Sequence, residues 1–216
     1  MNYIENVFVC MVAPLIVAII CANDKGKRSM LFLLIGMTAC LLSSYISTFI
    51  AAAQGANILQ ASLEISPLVE VSMKIFPILL YLLVFEPDRE GIAISCLMTA
   101  IGFATFENVC FLMQNGAEKL TNLAIRGFGT GAMHVVCANI IAIGLLRIWK
   151  NELLRVAGTV ALLAVAITYH GVFNVLVSQT GTAALIGYLI PFITAIAGLV
   201  IRRHLIFMKP NIPTEK

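Results

Sequence analysis

Charge is scarce in this chain. Asp, Glu, Lys and Arg make up 12% of its 216 residues, against about 25% in an ordinary soluble domain. With 60% hydrophobic residues and a mean hydropathy of +0.97, that scarcity excludes a soluble fold and leaves no room for a separate soluble domain. The net charge of +3 comes from basic residues confined mostly to polar breaks, which argues against a nucleic-acid surface. Paired cysteines are also missing. Cys10, Cys21, Cys40, Cys96, Cys110 and Cys137 lie singly in apolar runs with no Cys-x-x-Cys spacing, so they read as small buried hydrophobes rather than zinc ligands or disulfides. The His-Glu-x-x-His signature of soluble zinc peptidases is absent, as is a glycine-rich phosphate loop. Asp24 and Asp88 fall in charged breaks, which rules out a Ser-His-Asp triad. Met1–Asn6 carries no Lys or Arg, so a secretory signal of the usual kind is not expected there.

Long apolar runs are abundant. Seven are separated by short polar breaks: Val7–Ala22, Met30–Ala53, Ser66–Phe85, Gly91–Met113, Ile125–Trp149, Val156–Ser178 and Ala183–Ile201. Each approaches the ~20 residues needed to cross a hydrocarbon core of ~30 Å. The expected fold is therefore all-α, a polytopic transmembrane helical bundle of about seven spans forming one integral membrane domain over 1–216. Of the 14 Lys and Arg residues, eleven fall in alternate breaks and the C-terminal end. Lys119 and Arg126 fall on the other side, and Lys74 lies within a span. The positive-inside rule then predicts the N-terminus outside and the C-terminus cytoplasmic.

That topology sets a direction for each helix, and the ionisable residues inside the spans converge. Glu70, Lys74, Glu107, His134 and His170 all fall in the outer half of their helices, on four consecutive spans. A carboxylate at such depth costs roughly 2.5–3.5 kcal/mol on insertion scales, so it marks function by default. Glu70 and Lys74, Phe103 and Glu107, and His170 and Asn174 are each spaced four apart; Arg126, Thr130 and His134 follow at the same interval. Residues four apart share a helix face, so each set can point into one interior cavity. Gly127, Gly129 and Gly131 favour close helix approach beside His134, and Pro67 and Pro77 are expected to kink the third span. Two carboxylates with two imidazoles suit general acid–base hydrolysis. Two histidines with one glutamate are also a zinc ligand set.

Four segments in order, Pro67-Leu68-Val69-Glu70-Val71-Ser72-Met73-Lys74, Gly102-Phe103-Ala104-Thr105-Phe106-Glu107-Asn108, Arg126 with Thr130 and Met133-His134, and His170-Gly171-Val172-Phe173-Asn174, resemble the PrsW family. These are intramembrane proteases related to the CAAX-protease and bacteriocin-processing superfamily. The family pattern has a Glu-Glu-x-x-Lys motif, a Phe-x-x-x-Glu motif and later histidines. Val71 stands where that pattern has its second glutamate. The resemblance implies a bacterial or archaeal cell-membrane protein with a catalytic-like core over 66–178. It implies cleavage of a membrane-anchored, anti-sigma-factor-like substrate near the outer face. Carried over, it makes Glu70 the base for a water molecule, tuned by Lys74. Glu107, His134 and His170 become ligands of a metal such as Zn2+, or oxyanion stabilisers without metal. Asn108 and Asn174 orient groups, and Arg126 with Thr130 supports His134.

Two other classes stand beside this one. Buried Glu, Lys and His also relay protons in transporters, although related halves with broken helices are not evident. A non-catalytic scaffold binding transmembrane helices is the reading that Val71 favours. Singly, Glu70 and Lys74 form an ordinary i,i+4 ion pair, His134 is a packing histidine and Arg126 snorkels to the interface. Jointly, such residues at one depth on four helices fit a site better.

Overall fold

The computed structural model describes residues 3–116, 119–149 and 151–207, with side chains to Ile201. Seven helices among the described residues are long and apolar enough to cross a membrane, and the described residues contain no strand. We number them α1 (Ile4–Cys21), α2 (Asp24–Gln54), α3 (Ile58–Phe85), α4 (Arg89–Asn115), α5 (Leu120–Ile148), α6 (Glu152–Val177) and α7 (Thr182–Phe207). The cytoplasmic tail expected from the basic residues Lys209 and Lys216 lies outside the described residues, as do Lys150 and the side chains of Arg202, Arg203 and His204.

Every helix starts before its apolar run, and at several of these starts a side-chain cap rather than polarity sets the end. Asn23 accepts from the backbone N–H of Gly26 at 2.9 Å, so α2 takes in the basic stretch expected as a loop. Asp88 and Asn151 cap α4 and α6 in the same way. Gly55, in the left-handed region at φ 65°, closes α2. Asn57 and Gln60 then form a reciprocal capping box that opens α3. The break between the second and third apolar runs is therefore a tight turn over 55–57 followed by the first turns of α3, and Glu70 lies about 18 Å along α3, within its first half.

α3 is irregular near its start. Ala61–Ile65 is a π-helical turn, in which the Ser66 N–H bonds to the Ala61 carbonyl. Pro67 explains it: without an N–H, Pro67 serves neither the Leu63 carbonyl in α register nor the Ser62 carbonyl in π register. The Ser62 carbonyl finds a partner on another helix, Asn174 of α6, whose Nδ2 donates to it at 2.8 Å.

Glycine brings α2 and α4 into backbone contact. A Cβ on Gly36 would meet the Thr99 carbonyl, and one on Gly102 would meet the Leu33 carbonyl. Small residues at such crossings replace the hydrophobic effect with van der Waals contact. Two buried clusters flank this crossing. One joins Val71, Ile75 and Ile78 of α3 to Cys96, Met133, Cys137, Ile141 and Phe173. The other joins Met37, Cys40, Phe103 and Phe106, and α1 packs on it through Phe8, whose ring lies 5.2 Å from that of Phe106. α1 buries no residue fully, so it rides on the outside of the bundle.

Candidate active site

A cavity of about 460 Å³ is lined by α2 from Cys40 to Ala51 and by α4 from Phe103 to Gln114. The start of α3 and Arg126 of α5 complete its wall. Glu70 and Glu107 line it together with Phe103, Cys110 and Phe111. Of the residues expected to face one interior cavity, Glu70, Phe103, Glu107 and Arg126 line it, while Lys74, Thr130, His134, His170 and Asn174 are not among its lining residues.

His134 is fully buried and uses both ring nitrogens. Lys74 Nζ lies 2.8 Å from Nδ1, and Glu107 Oε2 lies 2.5 Å from Nε2. An ammonium only donates, so Nδ1 accepts and the proton on Nε2 is donated to Glu107. The second Glu107 oxygen lies 3.4 Å from the Arg126 guanidinium. Arg126 donates to Asn108 Oδ1 at 2.7 Å and stacks on Phe111, 3.6 Å from the ring centroid. Asn108 in turn donates to the Gly127 carbonyl at 3.4 Å. This chain runs from α3 through α5 to α4 and back to α5, and it holds Glu107 from two sides.

Glu70 is held more loosely. Its Oε2 lies 4.0 Å from Lys74 Nζ and 3.7 Å from His170 Nε2. That oxygen is buried and without a hydrogen-bond partner, as is Nδ1 of His170. The His134 and His170 rings meet edge to face at 5.3 Å. Two carboxylates face two basic side chains, Lys74 and Arg126, an arrangement that offsets the cost of burying a charge.

The residues also fit a metal. One ligand atom each from Glu70, His134 and His170 lies within 4.8 Å of the others. The orphaned Glu70 oxygen and His170 nitrogen are the donor types a zinc ion takes. This grouping contains Glu70 where the family resemblance points to Glu107, and His134 would join it only by giving up its contact with Lys74 or Glu107.

Thr130, expected to support His134, is buried at 4% exposure on the same helix. Asn174 carries out the tie to Ser62 described above. Val71 is fully buried and faces the apolar cluster rather than the cavity. It borders a void of about 10 Å³ shared with Lys74, Cys96 and His134, so a glutamate at this position would face that void. The contribution of α2 was not anticipated. Cys40, Ser43, Ser44, Ser47, Thr48 and Ala51 form one wall of the cavity. The hydroxyl-rich run Ser43–Thr48 was its sequence signal. Cys110 of α4 lines the same cavity as Cys40, and both thiols are free.

A sequence model described as PrsW family intramembrane metalloprotease matches residues 27–199. Comparison with curated proteins and with solved structures finds no match.

Proposed function

The chain belongs to the PrsW family of intramembrane metalloproteases, and we propose that it hydrolyses a peptide bond in a membrane-anchored, anti-sigma-factor-like protein near the outer face of a cell membrane. The reading takes 1–216 as one integral membrane domain, with the N-terminus outside and its working core over 66–178. One observation supports it most: Glu70 lines the cavity and its Oε2 is buried without a hydrogen-bond partner, while Glu107 is already held.

In this reading Glu70 takes the proton from a water as its oxygen attacks the scissile carbonyl, and returns the proton to the departing amine. Lys74, 4.0 Å from Glu70 Oε2, supplies positive charge as the oxyanion develops, and His134 holds Glu107. Arg126 and Asn108 keep Glu107 and His134 in place. Asn174 holds His170 in register with Glu70 through the Ser62 carbonyl. The test is cleavage of a reconstituted single-span protein by wild type and Glu70→Gln. A folded Glu70→Gln protein that cuts at the wild-type rate would sink this role, and cuts mapped to the cytoplasmic side would overturn the topology.

A second reading is favoured by the donor set. Glu70, His134 and His170 would hold a divalent ion such as Zn2+, and the chemistry such an ion supplies is Lewis-acid polarisation of a carbonyl. Glu107 is then the carboxylate left to accept the proton. Metal content of the purified protein, measured beside cleavage, separates the two.

A further inference from the structure

The α2 wall of the cavity has no part in the chemistry above, and one residue on it stands apart. Many helical Ser and Thr hydroxyls in this protein donate back to their own helix. Ser43 donates to the Cys40 carbonyl at 2.9 Å and Thr48 to the Ser44 carbonyl at 2.8 Å. Thr38, Thr105 and Thr168 do the same. Ser47 does not. It is 9% exposed, lines the cavity, and its Oγ has no hydrogen-bond partner. A buried hydroxyl without an acceptor is a standing cost, recovered when an acceptor arrives.

The remainder of that wall is small: Cys40, Ser43, Ser44 and Ala51 let a main chain approach closely. The opposite wall carries Glu70 and Glu107. A chain lying between them would have one side against Ser47 and the other against the carboxylates. In a transmembrane helix the carbonyls are consumed by internal hydrogen bonds. Hydrolysis requires the cut segment to unwind, which strands its carbonyls in a place poor in water.

We propose that Ser47 donates a hydrogen bond to a main-chain carbonyl of the substrate beside the scissile bond, and that the α2 wall accepts an unwound segment of small residues (Ala, Ser, Gly). This rests on the peptidase reading for the word substrate, but binding is testable without cleavage. Ser47 is a positioning residue; it touches the chain being cut, not the reacting water.

The probe is a designed single-span fusion protein with a leucine helix. The third nearest the α2–α3 turn reads Ala-Ser-Gly-Ala, and single cysteines are placed along it. An all-leucine helix serves as control. Both are reconstituted in phosphatidylethanolamine–phosphatidylglycerol vesicles with Ser47→Cys in a Glu70→Gln background. Disulfide crosslinking should peak at probe cysteines within Ala-Ser-Gly-Ala, at least fivefold above the other positions, and collapse with the all-leucine helix. In the otherwise wild-type enzyme, Ser47→Ala should raise KM for the same probe about fivefold to tenfold, as expected for one lost hydrogen bond, with kcat within twofold. Crosslinks spread evenly along the probe, no crosslinks, or an unchanged KM in Ser47→Ala would each overturn the proposal. If crosslinks peak as expected while wild type cuts nothing, the peptidase reading falls and the binding site stands.

Discussion

Lys74 Nζ lies 2.8 Å from His134 Nδ1, inside the membrane and out of contact with water. The lysine on α3 therefore decides which nitrogen of a histidine on α5 carries the proton, and so what Glu107 receives. Lys74→Met should leave Nδ1 without a donor and let the imidazole take either tautomer. Cleavage should fall by about 10²-fold or more, the usual scale of a misplaced acid–base group. The same change removes a cation from beside two of the three candidate metal ligands, so zinc affinity, read by titration in detergent, should rise. Unchanged zinc affinity together with an unchanged rate would mean the contact is packing alone.

The donor grouping makes a second prediction. Zinc bound to the purified protein should be lost in Glu70→Gln, His134→Ala and His170→Ala and retained in Glu107→Gln, as read by elemental analysis. Loss in Glu107→Gln as well would return Glu107 to the ligand set that the family resemblance implies.

Asn174 and Pro67 should prove coupled. The Asn174 amide satisfies a carbonyl that Pro67 orphans. Asn174→Ala should destabilise the protein by about 0.5–1.5 kcal/mol, the net worth of one hydrogen bond at an exposed site. Pro67→Ala lets α3 return to α register and supplies the missing N–H. In that background Asn174→Ala should cost less, and a double-mutant cycle on thermal unfolding in detergent measures the difference. Strict additivity would sever the link.

The α2–α4 crossing offers a matched pair. A Cβ on Gly36 or Gly102 meets backbone that has no side chain to swing aside, whereas Gly131 has nothing within 4 Å. Gly102→Ala should lower the unfolding temperature and distort the cavity that the same two helices line. Gly131→Ala should be neutral or stabilising by up to about 1 kcal/mol, the helix-propensity gain over glycine. Equal effects at the two sites would mean the crossing does not govern stability.

The sequence by itself determined the seven spans, because crossing a bilayer needs an apolar run and that is a local property of composition. It also determined which polar residues share a helix face: Glu70 with Lys74, and His170 with Asn174, follow from 3.6 residues per turn. It placed the helix ends less well. Asn23, Asn57 and Asp88 cap residues that polarity alone assigned to loops, so α3 begins eight residues before Ser66. Only the tertiary structure decided the pairing of carboxylates with histidines, Glu107 with His134 and Glu70 with His170. Periodicity sets a face but not the rotation of one helix against another. That rotation is set by contacts such as Gly36 with Thr99 and Gly102 with Leu33, between residues more than 60 positions apart. The same contacts bring the Ser43–Thr48 stretch of α2 to the cavity, where Ser47 waits without an acceptor.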